Sequence, residues 1–361
     1  MGLKIYYSAD ITELPDGVSA DKVLGLVVLG IDDSKDYHQF LHELKTEVHG
    51  LLGRGIPVTY VPQPLLPGGG LSYEIYVLEE GPEVCFGGQD GVCYGFMKNE
   101  QYSMLFVEGV ASSDFSEDVH IQSSEVFGKV DALLSSHGFA AGDIVRQWNY
   151  IGNITGCRRG RQNYQEFNDA RSFYYGKRKW DKGYPAATGI GISSDGIIVG
   201  CIAFKRNDAD GIYPINNPLQ IAAHEYSRKV LVDDAADALK TTPKFERAKL
   251  IEISGEACCF VSGTAAIRGE SSMDMSSARL QTIQTIENIE HLVSKENLAK
   301  FGCKAYELNP VNLRIYVKNE EDYGQVRTVI EERYPDVPVV YTVADVCRQE
   351  LLVEIEGILI S

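Results

Sequence analysis

The sequence predicts an α/β (α+β) protein built from two tandem β-sheet/helix units behind an N-terminal segment. Three observations lead to this prediction: a low-similarity internal repeat, amphipathic helical patterns that alternate with apolar strands, and a length of 361 residues. Such a length suits two or three domains of roughly 100–200 residues each. The hydrophobic fraction of 44% is ordinary for a globular protein with a sizeable core.

The internal repeat is the strongest sign of organisation. The first copy has predicted strands and helices in the order of segments 104–114, 121–138, 144–154, 163–176, 187–192 and 196–204. The second copy follows the same order in segments 258–267, 280–296, 313–319, 322–335, 339–347 and 350–359. Each copy is therefore predicted to be a β–α–β–α–β–β unit whose helices cover one face of its sheet.

The spacing of apolar residues supports the predicted helices. Apolar side chains recur at helical intervals at Val126, Val130, Leu133 and Leu134 in the first copy and at Ile283, Ile286, Ile289 and Leu292 in the second. Residues 1–75 alternate strand-like runs with one helical pattern, which suggests a degenerate third unit. The predicted divisions are an N-terminal segment 1–98, a first unit 99–206, a connection 207–247 and a second unit 248–361.

The charge of the chain limits its partners. A net charge of −17 argues against a nucleic-acid or anionic-membrane binder, since both need a surplus of Lys and Arg on one face. We expect an anionic small-molecule substrate held by locally clustered cations, with no nucleic acid and no membrane partner. No apolar run approaches the roughly 20 residues of a membrane span, and the N-terminus has no apolar signal-peptide region. A cytoplasmic location is expected.

Cysteine and histidine patterns give no sign of a metal. The eight cysteines form no CxxC pair, so a zinc site or a disulfide framework is not expected. The histidines show no metal-ligand spacing, and the sequence 189–196 lacks the last glycine of a dinucleotide-binding loop. We expect neither a metal nor a cofactor.

Short segments of the chain resemble a known superfamily. A strand that ends in Ser262-Gly263 precedes a helix, the segment 142–145 is GDIV, and Glu354-Ile355-Glu356 closes the second unit. These features resemble the YjgF (reactive-intermediate deaminase) superfamily, whose units have a chorismate-mutase-like fold. Seven further segments resemble its fused-unit members, the chorismatases: RQWNYI (146–151), YQEFNDAR (164–171), YPAATGIG (184–191), NPLQIAA (217–223), PKFERA (243–248), SGTAAI (262–267) and CRQELLVEIEG (347–357).

The resemblance implies both an architecture and an activity. The two units would lie side by side in a pseudo-trimeric arrangement, the N-terminal segment would take the third place, and the site would lie near the unit interface. The expected activity is hydrolysis of the enolpyruvyl ether of chorismate to pyruvate plus a hydroxybenzoate or a dihydroxycyclohexadienoate. We expect a monomer or a small homo-oligomer.

Departures from the family pattern leave alternatives open. In chorismatases the strand matched by 262–267 is followed by Gly-His-Glu-Ser, whereas residues 269–272 here are Gly-Glu-Ser-Ser. Residues 227–242 also replace a shorter family segment. One alternative is thus a non-catalytic YjgF-type protein that binds a small carboxylate or has a regulatory role. Another is an enamine/imine deaminase, although Ala187 and Tyr341 occupy the positions of that activity's arginine.

Vinyl-ether hydrolysis begins with protonation of the terminal carbon, so it requires a carboxylic acid that stays protonated near pH 7. An ordinary Glu, with a pKa of about 4.3, is the wrong species unless burial or a like charge raises its pKa. Glu354 and Glu356 lie two apart on a strand and therefore share a face. The resemblance implies that Glu354 is the general acid; the alternative is two solvated glutamates on an edge strand. It also implies that Cys347 accompanies the 3-hydroxybenzoate branch, with a buried structural thiol as the alternative.

Two substrate carboxylates call for Arg or Lys side chains. Two strand faces that mix cations with aromatic rings are candidates for binding them. These faces carry Arg146 and Tyr150 in the first unit, and Arg314, Tyr316 and Lys318 in the second. The alternative is that each is a solvated outer face of its sheet. The family segments add Arg171, Tyr226 and Arg348. Small-residue strands, where a ligand can approach the backbone, add Thr188, Gly189, Ser262 and Thr264. The cluster Arg158, Arg159 and Arg161 is interpreted as a surface patch.

Overall fold

The N-terminal part of the chain forms a four-stranded sheet with one helix. A computed structural model describes residues 2–32, 34–158, 160–208, 211–227, 241–253, 255–273 and 276–361. The elements of this part are β1 (Leu3–Ser8), β2 (Val23–Gly30), α1 (Tyr37–Leu52), β3 (Val58–Pro62) and β4 (Leu71–Leu78). The strand order is β1-β4-β2-β3, with β2 and β3 parallel. Asp36 caps α1 by accepting from the amides of His38 and Gln39, and Gly53, with φ +67°, ends the helix.

The first repeat unit is a six-stranded sheet with two helices. Its elements are β5 (Val84–Gln89), β6 (Val92–Lys98), β7 (Tyr102–Ala111), α2 (Val119–Ser136), β8 (Ile144–Gly152), the hairpin β9 (Cys157–Arg158) and β10 (Arg161–Gln162), α3 (Asn163–Gly176), β11 (Ala186–Ile192) and β12 (Ile197–Arg206). The strand order is β11-β8-β12-β7-β6-β5, and β11 runs parallel to β8.

The second repeat unit has the same plan. Its elements are β13 (Ile212–Ile215), β14 (Ala248–Ile253), β15 (Glu256–Ala265), the hairpin β16 (Ile267–Arg268) and β17 (Ser271–Ser272), α4 (Ala278–Val293), α5 (Lys295–Lys300), β18 (Asn309–Val317), α6 (Tyr323–Arg333), β19 (Val339–Val343) and β20 (Val353–Ile360). The strand order is β13-β14-β15-β20-β18-β19, with β18 and β19 parallel. The predicted repeat and α/β fold class are therefore confirmed.

Each repeat unit has two more strands than the sequence predicted. β5 and β6 precede residue 99 but extend the first sheet, because β5 pairs with β6 and β6 pairs with β7. β13 lies in the predicted connection but pairs with β14. Hydrogen bonding across the sheet, rather than local pattern, assigns these strands. We therefore propose that the first unit begins near residue 84 and the second near residue 212.

The N-terminal sheet reproduces part of the repeated plan. Its order β3-β2-β4-β1 corresponds to β11-β8-β12-β7 in the first unit, with α1 in the place of α3. A counterpart of α2 is missing from the described residues between β1 and β2, where a single 3₁₀ turn, Ala20–Lys22, lies instead. The N-terminal segment is thus a reduced third unit.

The three sheets pack together on their helix-free faces. The helices α2 and α3 cover one face of the first sheet, and α4 and α6 cover one face of the second. The opposite faces form a shared core with side chains from all three units, including Tyr76, Phe106, Trp148, Phe260 and Ile358. In this pseudo-trimer β7 packs on β2 and β3, β1 packs on β18, and β11 packs on β15. Among the described residues, no helix is long and apolar enough to cross a membrane.

Candidate active site

A cavity opens where the first unit meets the second, beside the contact between β11 and β15. Its empty space is about 810 Å³ when the opening to solvent is included, a size suited to a small-molecule ligand. Both units and the segment between them supply its wall: Gln162, Tyr164, Gln165, Asn168, Arg171, Ala187, Gly189, Tyr226, Pro243, Phe245, Arg247, Gly263, Ala265, Ile267, Cys347, Arg348, Leu351 and Glu354.

A backbone irregularity in β15 brings Glu354 into the wall. The pairing of β15 with β20 shifts register between Val261 and Thr264, so Ser262 and Gly263 form a bulge. A Cβ atom on Gly263 would overlap the Oε1 atom of Glu354. The glycine therefore leaves the space that the carboxyl group of Glu354 occupies.

Glu354 lies in an environment that favours the protonated acid. Its side chain is 5% exposed, and none of the described residues is hydrogen-bonded to its carboxyl group. Burial, together with the neighbouring charge of Glu356, raises its pKa from 4.5 to about 8, although Arg146 and Arg247 oppose this increase. A carboxylic acid that can donate a proton at neutral pH therefore faces the cavity.

Glu356, on the same face of the same strand, lies in the opposite environment. Arg146 and Thr188 donate to its Oε2 atom, and Trp148, Arg314 and Tyr316 donate to Oε1 at 3.1, 3.1 and 3.0 Å. Burial alone would raise the pKa of Glu356. The charges of Arg146 and Arg314 and these hydrogen bonds instead lower it, so the group is an ionised carboxylate.

The Glu356 carboxylate belongs to a buried network that joins all three units. Arg314 binds Glu74 of the N-terminal unit through two hydrogen bonds, from Nε at 2.7 Å and Nη2 at 2.9 Å. The same guanidinium donates to the hydroxyl oxygens of Tyr76 and Tyr150 at 2.9 and 2.8 Å. Both Arg314 and Glu74 are almost completely buried. This network lies behind the cavity wall, in the core shared by the sheets.

Three arginines in the wall lack carboxylate partners among the described residues. The wall arginines are Arg171, Arg247 and Arg348, and the ion pairs of the described residues include none of them. Arg171 and Arg247 are 2% and 3% exposed, and the Nε atom of each has no hydrogen-bond partner in the described structure. Unpaired buried cations favour an anionic ligand.

Tyr226 connects two of these arginines. Arg247 donates to the Tyr226 hydroxyl oxygen at 2.5 Å and to the backbone carbonyl of Ile221 at 2.8 Å. The guanidinium of Arg348 lies 5.4 Å from the centre of the Tyr226 ring, within range of a cation–π interaction. Arg171 is held differently: it donates to Asn168 and lies 5.2 Å from the ring of Phe167. The three cations are therefore held by contacts within the wall, Arg171 on α3 and Arg247 and Arg348 beside Tyr226.

Residues 269–272, where the chain departs from the family pattern, accept hydrogen bonds from Arg348. Arg348 donates to the backbone carbonyl of Glu270 at 2.9 Å and to the Ser272 hydroxyl at 3.1 Å. The Glu270 carboxylate accepts from the amide and the hydroxyl of Ser227, both at 2.6 Å. Glu270, which replaces the family histidine, is absent from the cavity wall as described. Residues 228–240, within the other segment that departs from the family pattern, lie outside the described residues. Arg159 of the predicted surface cluster also lies outside them.

Cys347 lies in the wall as a neutral thiol. Burial, together with the nearby Glu354, raises its pKa from 9.0 to about 12. A thiolate nucleophile at this position is therefore disfavoured at neutral pH. Tyr164, also in the wall, has its pKa raised mainly by burial and remains a neutral phenol.

Six of the predicted site residues line the cavity, and the others do not. The lining residues are Glu354, Cys347, Arg171, Gly189, Tyr226 and Arg348. The cationic-aromatic faces that carry Arg146, Tyr150, Arg314 and Tyr316 were expected to contact substrate, but these buried side chains are not part of the cavity wall. These side chains point into the shared core because a third sheet covers that face, and Glu74 of that sheet pairs with Arg314.

The remaining predicted residues have structural contacts. Thr188 accepts from the Gly263 amide at 3.0 Å and donates to Glu356, so it lies just behind the wall. The Ser262 hydroxyl accepts from the Ala187 amide at 2.9 Å, and Thr264 donates to the Ser262 carbonyl at 2.8 Å. Lys318 donates to the carbonyl of Gln349 at 2.6 Å. Direct substrate contact by these residues is not supported, because their polar atoms are engaged within the protein or turned from the cavity.

Sequence reasoning missed Arg247 and the polar face of α3. Arg247 belongs to the quoted segment PKFERA, so the resemblance could have drawn attention to it. Gln165, Asn168 and Tyr164 lie within or beside YQEFNDAR, where the spacing of one helical turn also places Arg171 on the same face.

Comparisons with known proteins find relatives in sequence and in fold. A family model described as "Chorismatase FkbO/Hyg5-like, N-terminal" matches residues 83–203. A "3-hydroxybenzoate synthase" of Streptomyces hygroscopicus is 33% identical over 238 residues, which cover 63% of this chain and 65% of that protein, just under two thirds of its length. A "Chorismatase" of Streptomyces rapamycinicus is 31% identical over 288 residues, which cover 77% of this chain and 80% of that protein.

A solved structure has the same fold over almost the whole chain. A crystal structure of a chorismatase superposes with a TM-score of 0.75 and 23% sequence identity, covering 99% of this chain and 98% of that one. At this identity the likeness shows the fold, including the placement of the N-terminal unit. The identity to the Streptomyces rapamycinicus relative, across four fifths of its length, extends the likeness to sequence. The chain belongs to the chorismatase family.

Proposed function

We propose that this protein is an enzyme that cleaves the enolpyruvyl ether of chorismate and releases pyruvate. The observation that carries the proposal is the combination of one buried, protonated carboxylic acid with three carboxylate-free arginines around a single cavity. Chorismate has one acid-labile vinyl ether and two carboxylates, so its chemistry matches both features.

Proton transfer to carbon is the step that Glu354 performs. Its carboxylic acid donates a proton to the terminal carbon of the enolpyruvyl group, which leaves an oxocarbenium ion at the ether carbon. In a hydrolysis, water adds to that carbon, and collapse of the resulting hemiketal releases pyruvate and the ring alcohol. The ionised Glu354 then regains a proton from the solvent. An acid with a pKa near the working pH is suited to both transfers.

The arginines position the substrate in this proposal. Arg247 and Arg348, both in contact with Tyr226, bind one carboxylate, and Arg171 on α3 binds the other. Arginine is suited to this role because its planar guanidinium donates two parallel hydrogen bonds to a carboxylate. Binding of the dianion also compensates the buried positive charge.

The identity of the aromatic product is a finer proposal, and we infer 3-hydroxybenzoate. A cysteine in the wall beside the acid and the similarity to a protein named 3-hydroxybenzoate synthase support this choice. 3-Hydroxybenzoate and pyruvate together have the composition of chorismate, so this route consumes no water overall. The dihydroxycyclohexadienoate route consumes one water. Chromatography of the products from a chorismate incubation distinguishes the two.

The acid is tested by Glu354→Gln, which preserves shape but cannot protonate carbon. The purified wild-type protein should release pyruvate from chorismate, and we expect the variant to be at least about 100-fold slower, the usual contribution of a general acid. A lactate dehydrogenase-coupled assay measures pyruvate. The exposed Glu320→Gln serves as the matched control and should retain the wild-type rate.

Contrary results have clear meanings. Wild-type pyruvate formation that survives in Glu354→Gln would refute the acid role. If calorimetry detects chorismate binding to wild-type protein that forms no pyruvate, the protein is a small-carboxylate binder. Faster hydrolysis of an enamine generated in situ would instead indicate deaminase activity.

A further inference from the structure

Two glutamates of identical chemistry lie two residues apart on β20 in opposite surroundings. The carboxylate of Glu356 accepts from five side chains, whereas the carboxyl group of Glu354 accepts from none of the described residues. Alternation along the strand gives both side chains the same direction. The unequal partners are therefore a property of the packing around β20.

The groups that surround Glu354 come from every element packed against it. The titratable or charged groups near its carboxyl are Glu356 on β20, Arg146 on β8, Tyr316 on β18, Tyr164 and Arg171 on α3, Tyr226 and Arg247 before β14, and Cys347 and Arg348 before β20. Burial raises the pKa values of Tyr164, Tyr316 and Cys347, so these groups are uncharged at pH 7. Glu356 is therefore the negative charge in this set, and the arginines oppose it.

The charge of Glu356 depends on donors from the first unit and from its own unit, and on Glu74 of the N-terminal unit, which holds one of those donors. Arg146, Trp148 and Thr188 belong to the first unit. Arg314 is held in place by two hydrogen bonds to Glu74 of the N-terminal unit. Glu74 balances the charge of Arg314 and Glu356 balances that of Arg146, so the network behind Glu354 carries no surplus of positive charge.

We propose that Glu356 is a positioning residue that keeps Glu354 protonated at neutral pH, and that Glu74 of the N-terminal unit supports it through Arg314. The proposal deepens the proposed function and rests on Glu354 being the general acid. It assigns a role in the reaction to the reduced third unit, which contributes no residue to the described cavity wall.

The direction of the effect follows from charge. Without the carboxylate at 356, Arg146 and Arg314 would favour the ionised form of Glu354. Glu354 would then lose its proton at lower pH. The alkaline limb of the pH profile, where kcat/KM falls as Glu354 ionises, would therefore move to lower pH. An exclusively structural role would reduce the amount of folded enzyme without moving the limb.

The primary test is the pH dependence of kcat/KM for Glu356→Gln. We expect the alkaline limb to shift by about one pH unit or more toward acid, the usual effect of a neighbouring charge. At pH values above the alkaline limbs of both the wild type and the variant, this shift corresponds to about a tenfold lower kcat/KM for the variant. An unchanged limb in the folded variant would overturn the proposal.

A second variant tests the link to the N-terminal unit. Glu74→Gln removes the charge that balances Arg314, so the limb should move in the same direction but by less, because Glu74 lies farther along the network. Glu108→Gln is the matched control. Glu108 is equally buried, at 1% exposure, but its charged neighbours are Arg314, Glu74 and Arg146 rather than Glu354. An alkaline limb that moves equally in Glu356→Gln, Glu74→Gln and Glu108→Gln would overturn the roles assigned to Glu356 and Glu74.

A spectroscopic titration separates this proposal from the proposed function. The infrared carbonyl stretch of the protonated Glu354 acid is identified by its loss in Glu354→Gln and followed against pH without substrate. Glu356→Gln should lower the pH at which this band disappears. An unshifted band would refute the electrostatic role even if pyruvate is formed. A shifted band in protein that forms no pyruvate would refute the proposed function alone.

Discussion

Arg247 illustrates, at the scale of one residue, how the cavity is prepared for an anion. Its side chain is 3% exposed, and it has contacts with Tyr226 and a backbone carbonyl but no carboxylate partner among the described residues. An unpaired buried cation costs several kcal/mol unless an anion reaches it. Its charge also opposes the raised pKa of Glu354.

Arg247→Gln should therefore have two separable effects. Loss of a charge-assisted contact should raise the KM for chorismate by about tenfold or more. Removal of the positive charge should further raise the pKa of Glu354, so the alkaline limb of kcat/KM should move to higher pH, opposite to the shift expected for Glu356→Gln. Steady-state kinetics from pH 6 to 10 measure both effects.

The exposed Arg158 offers a matched control. Its side chain is 54% exposed and pairs with Asp118 at 3.6 Å. Arg158→Gln should leave both KM and the limb unchanged. An unchanged KM in Arg247→Gln would show that this arginine does not contact the substrate.

At the scale of the elements, the site depends on the contact between β11 and β15. The Ser262 hydroxyl accepts from the Ala187 amide of β11 at 2.9 Å and donates to the carbonyl of Glu246 at 2.6 Å. One side chain in the bulge of β15 thus connects the two units. The adjacent Gly263 can then contribute backbone to the cavity wall.

Ser262→Ala should lower the free energy of unfolding by about 1–3 kcal/mol, because the buried Ala187 amide loses its acceptor. Urea unfolding followed by circular dichroism measures the change. Ser271→Ala, at an exposed position of β17, is the control and should change stability by less than about 0.5 kcal/mol. Equal stability of the two variants would contradict the connecting role.

At the scale of the whole molecule, two buried carboxyl groups have raised pKa values, one in the cavity wall and one behind it. Burial raises the pKa of Glu354 to about 8 and that of Glu108 to about 7, from 4.5. In the window between 4.5 and these values, the folded protein binds more protons than the unfolded chain. Each group therefore contributes stability that is present below pH 4.5 and is lost as the pH rises through its window.

Glu354→Gln should remove this contribution from the pH dependence of folding. As the pH rises from 4.5 to 8, the variant should gain stability relative to wild type by up to about 1.4 kcal/mol per pH unit. Chemical denaturation at several pH values measures the difference. Glu108→Gln should also gain stability relative to wild type as the pH rises, but this gain should end near pH 7, the pKa of Glu108. A pH-independent difference for Glu354→Gln would indicate an ordinary pKa at this site.

Local pattern alone determined most elements of this protein. The helix predicted at 163–176 coincides with α3, and the other predicted helices agree within a few residues, except that 280–296 divides into α4 and α5. Amphipathic spacing is a local property and survives folding. The strands β5 and β13 were missed because glycines, a proline and a short length weaken the alternation that marks a strand.

The sequence, through Glu354 and its neighbouring segments, also pointed to the acid and to a site between the units. It could not determine which cations would meet a substrate. Arg146 and Arg314 have the strand positions of binding residues, yet the N-terminal sheet covers them and supplies Glu74 as a partner. The environment of a side chain depends on which surface packs over its strand. That packing joins residues from all three units, and only the tertiary structure decides it.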